Sequence, residues 1–167
     1  MPRVQERAPA EFTNTVDITS GKLSYRRPVV ALVDQAGAGA IRTALLVTES
    51  GTIFTVPELT SGTQTITLPA LAAAVVGCTY TFVMVDTADQ DFNILGADSD
   101  KILAAVPKGD GDHKAAWSAQ DSIGFDANAI LGSSISVTCI STTAAIGWRA
   151  HDLIDGLAAN TGGLNVA

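Results

Sequence analysis

The stretch 50-SGTIFTVPELTSGTQTITLPALAAAVVGCTYTFVMVD-86 decides the fold class. It holds three short runs, Thr52–Val56, Gln64–Leu68 and Cys78–Val85, each rich in Thr, Ile, Val, Phe or Tyr. Such residues pack well on a pleated, half-buried surface. Side chains alternate faces along a strand, so Ile66 and Leu68 are expected on one face, with Thr65 and Thr67 on the other. By the same spacing Phe54 pairs with Val56, and Tyr80 and Phe82 with Met84. Ser61-Gly62 and Gly77 punctuate the runs as turn residues. The expectation is an antiparallel unit against which the rest of the chain packs.

Outward from this unit the same pattern recurs. Val29–Asp34 reads as a first strand, and Gly37–Ala40 (GAGA) as a linker. In the apolar run Ile41–Thr48, Leu45–Val47 admits either a strand or a helical turn. Pro69–Ala74 reads as one helical turn before Gly77. Phe92–Leu95 and Lys101–Val106 read as short strands around a turn at Ala97–Asp100. Ala116–Phe125 is weakly strand-like. Ser134–Thr142 is the strongest late strand, with Ile135, Val137 and Cys139 on one face, and Ala145–Ala150 is its expected hairpin partner. Strands at short intervals without a long 3.6-residue period argue an all-β fold, an antiparallel sandwich or barrel of jelly-roll-like type. Residues 1–28 and 155–167 read as extended N- and C-terminal arms around a β-domain at 29–154. The first 28 residues hold too little apolar side chain to bury themselves.

Composition narrows the function classes. At 167 residues the chain fits one domain with a real core. Charged residues make up 16%, against about 25% in typical domains, which points weakly to a surface shared with a partner. The net charge of −7 argues against general nucleic-acid binding. Half of the basic residues (Arg3, Arg7, Lys22, Arg26 and Arg27) fall within the first 27 positions, while aspartates dominate later. A basic arm before an acidic body suits contact with neighbours, and Tyr25 joins those five as a candidate contact residue. The N-terminus lacks the apolar core of a secretory signal, and no apolar run is long enough to span a membrane. Cys78 and Cys139 sit in apolar runs, as small buried hydrophobes or as a disulfide pair.

Chemistry is sparse. GAGA lacks the third glycine of a dinucleotide loop, since position 42 is Arg42. There is no P-loop motif and no GxSxG nucleophile elbow. Asp110-Gly111-Asp112-His113 has no closing Glu for a calcium loop, Asp98 and Asp100 suit a turn, and nothing singles out His113 or His151 for catalysis. No enzyme activity, cofactor or metal is expected.

Glu49–Asp86 resembles a pattern recurrent in tailed-phage virion proteins. In that pattern a Ser-Gly opening leads into a β-run and a turn, then a Thr-rich strand ending in Leu-Pro, an Ala-rich link, Gly and an aromatic strand. FNILGADSDKILAAV resembles its continuation, and SISVTCIST with AIGWRAHD its closing strand pair, so the likeness spans most of residues 45–150. It implies a capsid decoration (cement) protein on the outside of the head, bridging capsomers, or alternatively a tail-fibre or baseplate-associated receptor-binding module. Size and the arm favour decoration. The implied partners are the major capsid protein and further copies of the chain, as a homotrimer if closed symmetry holds.

Overall fold

A computed structural model describes residues 17–19, 22–24, 27–42, 44–98, 100–104, 118–127, 129–154 and 164–166. Strands β1 (Asp17–Thr19) and β2 (Lys22–Ser24) pair antiparallel with each other. The other strands form two sheets. The seven-stranded sheet contains β3 (Val29–Ala31), β5 (Ile53–Val56), β7 (Thr79–Met84), β9 (Ile102–Ala104), β10 (Ser118–Gln120), β12 (Ser134–Cys139) and β13 (Trp148–Ile154). The five-stranded sheet contains β4 (Gly39–Arg42), β6 (Gln64–Thr67), β8 (Phe92–Leu95), β11 (Ser122–Phe125) and β14 (Leu164–Val166). Helix among the described residues is confined to three single 3₁₀ turns, η1 (Val47–Glu49), η2 (Ala73–Val75) and η3 (Ala144–Ile146). The fold is all-β.

The expected antiparallel unit is not what forms. β5 and β7 are parallel neighbours, and β6 lies in the other sheet, parallel to β8. The reason is the path of the chain. From β3 to β8 each connection carries it from one sheet to the other, so same-sheet neighbours among these strands are two apart in sequence and run the same way. Later the chain returns within one sheet, and β12 pairs antiparallel with both β7 and β13. That is the hairpin partnership read from the sequence. Both large sheets are therefore mixed.

The period-two faces hold where they were read. Phe54, Val56, Ile66, Leu68, Tyr80, Phe82 and Met84 are buried, and so are Ile135, Val137 and Cys139. Phe54 stacks on Phe82 with ring centroids 5.5 Å apart, Phe82 meets Phe92 at 5.8 Å, and Phe92 meets Phe125 at 6.2 Å. This row of rings starts on one sheet and ends on the other, so the two sheets share one apolar core. Burying each ring stabilises the fold by about 1.5–3 kcal/mol.

Gln64 also points into this core, fully buried. Its amide donates to an Asp34 carboxylate oxygen and to the Gln35 carbonyl at 3.0 Å, and its oxygen accepts from the Gln35 N–H at 3.3 Å. A buried amide needs such partners. Cys78 and Cys139 are buried free thiols. The Cys139 N–H donates to the Cys78 carbonyl at 2.9 Å, and burial pushes the Cys139 thiol up.

Several segments differ from the sequence reading. Gly39 and Ala40, read as linker, open β4. β1 and β2 fall inside 1–28, where no strand was expected, and β14 falls inside 155–167 and pairs with β11. Residues 108–114 lie outside the described residues, including the Asp110–His113 run.

Candidate interaction surface

The winding of the chain sorts its connections onto two ends. β3, β5 and β7 run parallel in one sheet, and β4, β6 and β8 run parallel in the other. One end therefore collects the segments 43–52, 68–78 and 96–101, joined by 140–147 between β12 and β13. The opposite end collects 32–38, 57–63 and 85–91, joined by 126–133 between β11 and β12.

The two ends differ in chemistry. The opposite end carries Asp34, Glu58, Asp86, Asp89, Asp91 and Asp126 and no Lys or Arg, and Val33, Val85 and Leu131 are exposed there as well. Asp34 accepts from the Thr60 hydroxyl at 2.8 Å and from the Thr60 N–H at 3.2 Å. These bonds hold its carboxyl below the usual value of 3.8. The first end holds three uncharged runs, ALLV (44–47), LPALAAAVVGC (68–78) and ISTTAAIG (140–147), beside Glu49, Asp98, Asp100 and Lys101. Leu46, Val47, Val76, Ile140 and Ile146 all stay exposed there, with Leu46 keeping 57% of its surface. A hollow of about 530 Å³ opens among Leu45, Leu46, Val47, Leu68, Pro69 and Val75, with Asp98 on its lining. Connecting segments are normally polar because they face water. Exposed apolar patches of this kind mark interaction sites.

The apolar end is held in shape by partly buried and exposed polar bonds. Leu46 is fixed through both of its backbone groups. Its N–H donates to Glu49 Oε2 at 2.8 Å, and its carbonyl accepts from the Tyr80 hydroxyl at 3.0 Å. Glu49 is in turn bridged to the Arg42 guanidinium at 2.7 Å, and that guanidinium lies 5.9 Å from the centre of the Phe54 ring. Burial raises the Tyr80 phenol far above its ordinary value, so its hydroxyl remains a donor.

On the neighbouring connection the Leu71 N–H donates to Asp100 Oδ2 at 3.1 Å. Asp98 takes a left-handed backbone, φ 52, as the turn read there requires. Gly147 lets the 140–147 segment close on Leu71, since a Cβ at this position would lie 2.2 Å from Leu71 Cδ1. Apolar side chains thus project from connections tied by hydrogen bonds, and ordering of this kind in the free chain lowers the entropy cost of association.

Of the residues singled out in the sequence, Arg3, Arg7, Tyr25 and Arg26 lie outside the described residues, as does the side chain of Lys22 in β2. Arg27 is described. Its guanidinium donates to the Gly51 carbonyl and to Thr81 Oγ1, both at 2.8 Å. It clamps the start of β3 beside the apolar end. His151 pairs through Nε2 with Thr138 Oγ1 at 2.7 Å, and Thr138 Oγ1 lies 2.9 Å from Thr79 Oγ1, so the imidazole belongs to a hydroxyl ladder across β7, β12 and β13. Among the described residues no three His, Cys, Asp or Glu side chains gather as a metal site. The six aromatic side chains described, Phe54, Tyr80, Phe82, Phe92, Phe125 and Trp148, are all buried.

Sequence reasoning missed the apolar end. Its signal was present in three uncharged runs, 44–47, 68–78 and 140–147, within connections where loops usually carry charge. No family model matches the chain, and no curated protein matches it.

Proposed function

We propose that this chain is a structural virion protein that coats the outside of a phage capsid and stabilises it by bridging capsomers. One observation carries the reading: the two ends differ, one gathering exposed Leu46, Val47, Val76, Ile140 and Ile146 around a hollow and the other gathering carboxylates with no Lys or Arg. A coat protein needs such an axis, one end to bind the shell and the other to face water. In this reading the two sheets form a sandwich, the apolar end meets the major capsid protein, and the basic N-terminal residues Arg3, Arg7, Lys22 and Arg26 reach acidic patches on the shell or on adjacent copies. Copies close into a homotrimer, and modest contacts per copy add up through multivalency.

The likeness of residues 45–150 to phage virion proteins supports the same reading. The alternative, a receptor-binding module of a tail fibre, is weakened because the described aromatic side chains lie in the core and offer no exposed stacking platform.

The test uses the purified full chain and heads of the encoding phage stripped of outer-surface proteins. The chain is expected to co-sediment with the heads to a saturating occupancy and to raise the temperature at which they release DNA. Absence of co-sedimentation with heads, together with binding to tails, would refute the assignment.

A further inference from the structure

We propose that Cys78 and Cys139 form a redox-responsive staple, which closes by thiol–disulfide exchange with a small-molecule disulfide and ties two connections of the apolar end together. The inference concerns the chain's own thiols and does not depend on the virion assignment.

The placement follows from a turn. The Cys78 N–H donates to the Val75 carbonyl at 2.9 Å. Between them Val76 takes φ −59 and ψ 126, and Gly77 takes φ 90. These are the angles of a type II turn, whose third residue needs a positive φ and so favours glycine. The Gly77 N–H donates to the Cys139 carbonyl at 2.8 Å, and the Cys139 N–H donates to the Cys78 carbonyl at 2.9 Å. Gly77 and Cys78 together face Cys139 as a glycine bulge. The bulge lies one step beyond Thr79 and Thr138, the last regular pair of β7 and β12.

Both side chains turn to the core. Cys78 is two residues from Tyr80 and Cys139 is two residues from Val137, and Tyr80 and Val137 are a buried cross-strand pair. A period of two puts all four on one face, and both thiols are buried and free. Residues that exchange backbone bonds across an antiparallel ladder lie about 5.5 Å apart at Cα. A disulfide bridges Cα separations of roughly 4.4–6.8 Å. The turn and the two cross-strand bonds therefore set the spacing before any bond forms between the sulfurs.

The thiolate is the attacking species. Cys78 keeps 7% of its surface and Cys139 keeps 1%, and burial pushes the Cys139 thiol up. Cys78 therefore reacts first. It gives its proton to solvent, its sulfur bonds to one sulfur of the small disulfide, and the other sulfur leaves as a thiolate. Cys139 then loses its proton and attacks the Cys78 sulfur, expelling the second small thiolate. The chain gives up two electrons and two protons, and the small disulfide is reduced to two thiols.

The consequence falls on the apolar end. Cys78 closes the uncharged run 68–78, and Cys139 leads into the run 140–147. Val76 and Ile140, both exposed, flank the link. The staple fixes these side chains relative to each other.

The experiment incubates the reduced full chain with oxidised glutathione, without denaturant and without air. Intact mass should show the loss of two hydrogens with no glutathione retained, and peptide mapping should show Cys78 joined to Cys139 within one chain. Amide exchange at Gly77 and Ile140 should slow several-fold in the linked chain and recover on reduction. The Cys139→Ala chain should stop at a glutathione adduct on Cys78. It should hold roughly tenfold more adduct than the wild-type chain, where the second thiol acts at high effective concentration. The Cys78→Ala chain should keep Cys139 free over the same time. A wild-type chain that keeps both thiols, retains glutathione, links to a second chain or forms the bond only in urea overturns the inference. So does unchanged amide exchange in the linked chain.

Discussion

Replacing Leu46 with Asp separates binding from folding. Leu46 keeps 57% of its surface, and its structural bonds run through its backbone N–H and carbonyl. The substitution should leave unfolding free energy within about 0.5 kcal/mol, as for surface changes generally. Attachment should respond very differently. Full burial of a leucine side chain stabilises by about 1.5–3 kcal/mol, so covering the exposed part is worth about 1–1.5 kcal/mol per copy. The aspartate forfeits that and adds the cost of desolvating a carboxylate, several kcal/mol where no cation meets it. A loss of 3 kcal/mol per copy is already more than a hundredfold in affinity. The assay is co-sedimentation with stripped heads across a concentration series, paired with urea unfolding of the free chain. The reasoning fails if the Leu46→Asp chain coats heads at the wild-type midpoint. It also fails if that chain is unfolded in buffer, since Leu46 would then be part of the core.

Three further predictions concern the frame. Phe82→Ala removes the ring that joins Phe54 to Phe92 across the two sheets and should cost about 3–5 kcal/mol in urea unfolding; a loss under 1 kcal/mol would mean that the sheets do not share this core. Gly147→Ala brings a methyl against the flexible end of the Leu71 side chain, which can turn aside, so the cost in urea unfolding should stay within about 1 kcal/mol; a loss above about 3 kcal/mol that Leu71→Ala relieves would show that Leu71 cannot give way. Asp34, held below 3.8 chiefly by its Thr60 bonds, contributes stability that is present above that value and lost as pH falls through its lower folded-state value. Asp34→Asn should therefore flatten part of the acid limb of a stability-against-pH curve below pH 3.8, and an unchanged acid limb would remove Asp34 from the account.

The faces of the strands were legible in the sequence because a period of two survives whatever the strand pairs with. The spacing puts Phe54 with Val56, Ile66 with Leu68, and Phe82 with Tyr80 and Met84 on common faces, and each of these faces is buried. Pairing was not legible. Alternation says which side of a strand is wet, not which sheet the strand joins. A chain that changes sheets at each connection turns expected hairpins into parallel neighbours two strands apart, as with β5 and β7. Gly39 and Ala40 read as linker because Gly and Ala have low strand preference, yet pairing with β6 recruits them. Gln64 looked like an ordinary strand residue, and nothing local revealed that Asp34 and Gln35 would meet its amide in the core. The apolar end was hidden for a similar reason. Its segments are scattered over 44–147, and only the winding of the chain gathers them.

The most direct measurement is an image reconstruction of the intact phage particle at a resolution that orients this fold. The account predicts density for the chain on the outer surface of the head, with Leu46, Val76 and Ile146 turned toward the shell and Asp34, Asp86 and Asp89 turned toward solvent. Density confined to the tail, or copies on the head seated by their acidic end, would contradict it.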